Sequence, residues 1–154
     1  MSQDSRNISK LSFNTPRIEK AEGTTFLLGN HFLKKHKQVQ AGKKDRLYVA
    51  QTQDHKIVGA FWFDVQPTHY WIRNLFVDPN YRHQGIGTKL IQQALKEVGS
   101  SSCYCFNAPS LAHFYQSIGF TEILANDLPN ILQTRLLRYQ EKGKNFIAMR
   151  FTES

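Results

Sequence analysis

The chain has 154 residues with a formal net charge of +8, 40% hydrophobic, 12% aromatic and 21% charged side chains. That apolar share, eleven Phe included, excludes a globally disordered chain and suits one domain with a single core over residues 1–154. No apolar run approaches the roughly 20 residues of a membrane-spanning helix, and Met1-Ser2-Gln3-Asp4-Ser5 lacks a secretory leader, so a cytoplasmic location without membrane partners is expected.

Residues 1–13 are polar and aperiodic and read as a loose arm, of which 1–11 precede a first strand near Ser12 to Ile18. From Glu22 to Gln38, Phe26, Leu27, Phe32 and Leu33 recur at helical spacing with an interruption at Gly29-Asn30, which predicts one bent helix or two short ones. Leu47–Ala50 and Ile57–Val65 form a hairpin across the turn Gln53-Asp54-His55-Lys56. Tyr70–Val77 is the next strand, closed by Asp78-Pro79-Asn80.

Thr88 is expected to open an amphipathic helix with Leu90, Ile91, Ala94, Leu95 and Val98 on its apolar face, ended by Gly99. Ser102–Phe106 reads as a strand, Leu111–Ile118 as a short helix ended by Gly119, and Phe120–Leu124 as a strand. Asp127 is placed to cap, and Pro129 to start, a helix over Ile131–Tyr139, and Asn145–Thr152 is the last strand.

The charge surplus attracts an anionic partner: nucleic acid, an acidic substrate or a polyphosphate cofactor. The clusters Lys34-Lys35-His36-Lys37 and Lys43-Lys44-Asp45-Arg46 are not interleaved with aromatics, which disfavours nucleic acid and fits a solvated helix face and loop. Cys103 and Cys105 sit two apart in a strand with no second Cys or Cys/His pair at zinc-like spacing, so packed, reduced thiols and no metal are expected.

The chemistry concentrates in Arg82-His83-Gln84-Gly85-Ile86-Gly87-Thr88, a short loop between a strand and a helix. Backbone N–H groups at the positive end of a helix hold a phosphate, and Gly85 and Gly87 let the main chain approach it closely. Arg82 and His83 add charge at the rim, and Thr88 adds a hydroxyl. No Gly-Lys-Ser/Thr follows, so this is not a Walker loop; the third glycine and downstream acid of a dinucleotide fingerprint are also missing.

The string Asn74-Leu75-Phe76-Val77-Asp78-Pro79-Asn80-Tyr81-Arg82-His83-Gln84-Gly85-Ile86-Gly87-Thr88-Lys89-Leu90 resembles the acetyl-CoA signature of the GNAT (GCN5-related N-acetyltransferase) superfamily. Asn107 and Phe114-Tyr115-Gln116-Ser117-Ile118-Gly119-Phe120 resemble its second half, so the likeness covers about Leu47 to Phe120. It implies an α/β (α+β) fold: a central mixed, mostly antiparallel twisted sheet of about six to seven strands, flanked by about four to five helices. It further implies transfer of an acetyl group from acetyl-CoA to a primary amine by direct attack in a ternary complex.

By the same resemblance, the backbone of Leu75, Phe76 and Val77 would line the pantetheine arm and polarise the thioester carbonyl. Residues His83 to Thr88 would take the pyrophosphate with Arg82 beside them, Asn107 would touch the arm, and Tyr115 would be general acid for the leaving thiolate. No general base is assigned: Asp64, Glu122, His69 and His113 read as surface or loop residues. The acceptor would be a small-molecule amine or a protein or peptide amine, and the family leaves room for a homodimer. The competing readings are an acyltransferase for another acyl-CoA and a non-catalytic nucleic-acid-binding or regulatory domain on the same fold.

Overall fold

The computed structural model describes residues 15–99 and 102–152, so the arm over 1–13 and the start of its strand lie outside the described residues. Seven strands form one mixed sheet, in the order β1-β2-β3-β4-β5-β7-β6. They are β1 (Arg17–Lys20), β2 (Arg46–Gln51), β3 (Ile57–Gln66), β4 (His69–Val77), β5 (Cys103–Asn107), β6 (Phe120–Ile123) and β7 (Ile147–Phe151). The described α-helices are α1 (Thr24–Lys35), α2 (Ile86–Val98), α3 (Ala112–Ile118) and α4 (Asn130–Glu141). The pairs β1/β2, β5/β7 and β6/β7 run antiparallel and β4/β5 parallel. Packing divides the chain into two units, with the division falling after Trp62 inside β3 and after Arg73 inside β4.

The first unit holds the described residues up to Trp62 and Asn74–Glu97. Its α1 is one continuous helix, so Gly29-Asn30 does not break it. Gly29 is instead where the helix touches the sheet: a Cβ there would lie 2.8 Å from Leu47 Cδ2 and 2.8 Å from Val49 Cγ1, both buried. Asn30 ties down the segment that follows, donating from Nδ2 to the Ala41 carbonyl (2.9 Å) and accepting from the Ala41 amide (2.8 Å). Phe32, Leu33, Leu47, Val49, Ala60 and Trp62 form the core beneath α1.

Helix α2 buries the expected stripe, Leu90, Ile91, Ala94, Leu95 and Val98, and Ile86 besides. It begins at Ile86, two residues before the predicted Thr88. Gly59 on β3 permits that approach, since a Cβ there would meet Ile86 Cγ2 at 3.2 Å and Leu90 Cδ1 at 3.3 Å. At the far end of α2, the buried Tyr48 on β2 donates its hydroxyl to Glu97 Oε1 at 3.1 Å.

The second unit holds Phe63–Arg73 and the chain from Val98 onward. Helix α3 ends on Gly119, whose φ of +124° and 2.9 Å approach to the Phe151 ring both require the absent Cβ. Helix α4 lays Leu132 and Leu136 on Trp71, Tyr104 and Ala148. It starts at Asn130 behind Pro129, with no side-chain cap; Asp127 belongs to the preceding 3₁₀ turn and does not cap it as predicted.

Candidate active site

In the first unit, β4 leads into the loop through a main-chain irregularity. Asn74 adopts φ +57° within the strand, the left-handed region that a non-glycine residue seldom enters. Its Nδ2 donates to Gln38 Oε1 at 3.3 Å, while its buried Oδ1 meets no partner. Leu75, Phe76 and Val77 follow, all half-buried. The turn after them is fixed by Asp78, whose amide donates to the Val58 carbonyl (2.8 Å) and whose Oδ1 accepts from the Asn80 amide (2.9 Å).

The loop 82–85 is exposed, and both His83 (φ +64°) and Gly85 (φ +77°) are left-handed. Lys89 N–H makes the bond to the Gly85 carbonyl at 3.0 Å, so the amides of Ile86, Gly87 and Thr88 sit in the first turn without an intrahelical acceptor. No acidic residue occupies that turn. These three amides and the positive helix end form a site for an oxyanion of phosphate size. Ile86 contributes main chain only, because its side chain is buried against Gly59.

Arg82 differs from a free rim cation. Its Nε donates to the Val77 carbonyl at 3.0 Å and its guanidinium lies 5.1 Å from the Phe76 ring centroid. It therefore braces the loop against β4, and the Val77 carbonyl is already engaged. His36 stacks on Phe76 at 4.7 Å, so it is packed rather than part of a solvated cluster.

In the second unit, β5 presents Cys103, Cys105 and Asn107 on one face, as the strand period requires. Both thiols are free and buried. Burial pushes the Cys105 thiol up to about 12, and that of Cys103 rises for the same reason. Asn107 is 3% exposed; its Nδ2 donates to Cys105 Sγ at 3.6 Å and its Oδ1 is buried with no acceptor role filled. Tyr115 on α3 is 6% exposed, wedged edge-on between Phe114 (5.0 Å) and Phe120 (5.6 Å). Burial raises its phenol further above the ordinary range, reinforced by Cys105 and Cys103, so it stays protonated at neutral pH.

Of the possible bases, His69 is neither surface nor loop. It opens β4 at 3% exposure, with Nδ1 3.0 Å from Thr68 Oγ1, Nε2 without a partner, and a pKa lowered by burial despite Asp64. Asp64 is half-buried and accepts from Gln66 Nε2 at 2.7 Å, while Glu122 and His113 are exposed.

The profile of the Acetyltransferase (GNAT) domain matches residues 43–122, just over half of the chain, a range that contains the loop, Asn107 and Tyr115. The chain belongs to the GNAT acetyltransferase family. No curated protein sequence matches it. Among solved structures, this GNAT chain is similar to a Mycobacterium tuberculosis protein in complex with CoA (TM-score 0.67, 17% identity, 90% of this chain and 100% of the other). It is similar to the ribosomal-protein-S18-alanine N-acetyltransferase of Escherichia coli (TM-score 0.61, 21% identity, 88% and 92%). It is also similar to N-acetylglutamate synthase of Neisseria gonorrhoeae in complex with coenzyme A and N-acetyl-glutamate (TM-score 0.64, 15% identity). There the match takes in 88% of this chain and spans about a third of the synthase, 34%. At these identities the likeness establishes the GNAT fold, a seven-stranded mixed sheet with flanking helices.

Within that fold, sequence reasoning missed the left-handed Asn74 and the role of Gly59. Asn tolerates the left-handed region better than most residues, and a glycine inside a strand marks a close approach; those were the signals available.

Proposed function

We propose that the chain is a single acetyl-CoA-dependent N-acetyltransferase domain, transferring acetyl to a primary amine in a ternary complex. The observation that carries this reading is the loop: a left-handed Gly85 feeding an α2 whose first three amides are unbonded within the helix and uncrowded by any acid. Acetyl-CoA would supply the acetyl group as a thioester. The amides of Ile86, Gly87 and Thr88, with those of His83, Gln84 and Gly85, hold its pyrophosphate, and Arg82 keeps the loop braced against Val77. Leu75 and Phe76 face the arm with main-chain groups, Val77 with its N–H alone.

Asn107 fits the same cofactor, because a buried, unpartnered Oδ1 is unfavourable by about 1–3 kcal/mol until an amide N–H meets it. Such an N–H is what a pantetheine arm carries. Tyr115 Oη, held protonated by burial, gives its proton to the departing sulfur. The amine loses its own proton to water. The chain itself supplies no nucleophile.

Isothermal titration with acetyl-CoA, followed by thiol release in the presence of a panel of amines, tests this reading. Micromolar binding and amine-dependent thiol release support it. Equal turnover of a longer acyl-CoA would favour the acyltransferase alternative, and salt-sensitive nucleic-acid binding without thiol release the non-catalytic one.

A further inference from the structure

Four side chains of the second unit, far apart in sequence, converge where the family signature says nothing. Trp71 on β4 has the Arg73 guanidinium 4.2 Å from its ring centroid and the Arg135 guanidinium, from α4, at 5.5 Å. The two cations are therefore within about 10 Å of each other, inside one screening length at 0.1 M salt. Arg73 Nη2 donates to Tyr139 Oη at 3.3 Å, which leaves the phenol proton of Tyr139 directed elsewhere. Arg135 and Tyr139 are four residues apart and share one face of α4. Phe106 closes the floor, 5.1 Å from Trp71 and 6.4 Å from Tyr139.

The cluster is rich in donors. Arg135 is exposed, and among the described residues no carboxylate pairs with it. Trp71 is 2% exposed, and its indole Nε1 is a buried donor with no acceptor. The Arg135 cation thus stands beside an indole whose own donor lacks an acceptor, and a planar carboxylate matches the guanidinium fork. The aromatic floor suits the apolar carbons that carry such a group.

We propose that this cluster recognises a carboxylate on the acceptor, so that the substrate is an amine bearing a carboxylate group. The inference rests on the proposed transferase reading and deepens it. In sequence, Arg73 stands two residues before Leu75, whose backbone is assigned to the cofactor arm. The strand period puts Trp71 and Phe106 on the face opposite Cys105 and Asn107, leaving the cofactor contact of Asn107 undisturbed.

The test is steady-state kinetics at saturating acetyl-CoA with L-glutamate and the tripeptide Gly-Gly-Glu, against L-glutamate dimethyl ester, Gly-Gly-Glu with both carboxylates amidated, and spermidine. Esterification lowers the pKa of the glutamate amine and so favours the ester chemically; a preference for the acid reports recognition. The expected result is a kcat/KM at least about tenfold higher for one or both acids, lost in Arg135→Gln through KM, with kcat and acetyl-CoA affinity unchanged. Arg73→Lys keeps the charge but not the fork and should also raise KM. The glutamate and tripeptide arms separate a free amino acid from a peptide as the source of the carboxylate. Transfer to spermidine or the neutral compounds that matches or exceeds the acids, unaltered by Arg135→Gln, overturns this inference and leaves the transferase reading standing. Binding of acetyl-CoA with no transfer to any amine overturns both.

Discussion

Replacing Gly87 by Glu separates cofactor binding from stability, because its two effects have opposite signs. Gly87 is the second residue of α2, where the helix-interior penalty for glycine of about 0.8–1.0 kcal/mol relative to a good helix former is an upper bound. A carboxylate in the first turn gains a further 0.3–1 kcal/mol or so from the helix dipole, and no acid is already there to repel it. Together these stabilise the fold by up to about 2 kcal/mol, a rise in Tm of about 2–4 °C per kcal/mol for a chain of this size. The same carboxylate would occupy the place proposed for the pyrophosphate and oppose its charge, so acetyl-CoA affinity should fall by at least about a hundredfold. Differential scanning fluorimetry and isothermal titration on the same preparation read both quantities. A folded Gly87→Glu protein that binds acetyl-CoA as tightly as wild type would refute the phosphate site.

Three further outcomes follow from the same geometry. Tyr115→Phe keeps the ring packing against Phe114 and Phe120, so acetyl-CoA affinity should hold while kcat falls on the order of 10²-fold; equal kcat would make Tyr115 a packing residue. Gly29→Ala forces a methyl to 2.8 Å from Leu47 and Val49, an overpacking of about 1–3 kcal/mol that outweighs the gain of up to about 1 kcal/mol in helix propensity, so Tm should drop by several degrees; an unchanged Tm would contradict it. With its thiol pushed from 9.0 to about 12, Cys105 stays neutral in the folded chain while it ionises in the unfolded one. Its contribution is intact below pH 9 and lost as pH climbs toward 12, at up to about 1.4 kcal/mol per pH unit. Urea midpoints between pH 8 and 11 should therefore fall more steeply for wild type than for Cys105→Ala, and parallel curves would dismiss the linkage.

The elements around the loop were legible because they rest on local rules: the apolar, aromatic-rich runs of β3 and β4, the apolar stripe of α2, and the glycines that end α2 and α3. What was not legible depended on partners distant in sequence. Gly29 reads as a breaker until Leu47 and Val49 lie against it. Asn30 reads as a second breaker until Ala41 accepts and donates to its amide. Asp127 has the right chemistry for a cap, but a 3₁₀ turn intervenes and Pro129 precedes the helix. His69 looks like a loop residue beside Pro67-Thr68, yet β4 begins on it and buries it. The Trp71, Arg73, Arg135 and Tyr139 cluster joins the strand β4 to a helix, with Arg73 and Tyr139 66 residues apart and no spacing to announce it.

The reaction proposed for the 82–88 loop and Tyr115 moves an acetyl group from acetyl-CoA to an amine. It is tested most directly by incubating the purified chain with acetyl-CoA and the amine panel, then counting acetylated amine by mass spectrometry against thiol released. One acetylated amine per thiol is the expected result, abolished in Gly87→Glu and slowed about a hundredfold in Tyr115→Phe. Thiol release without acetylated amine, or acetylated amine formed equally by the Gly87→Glu protein, would contradict it.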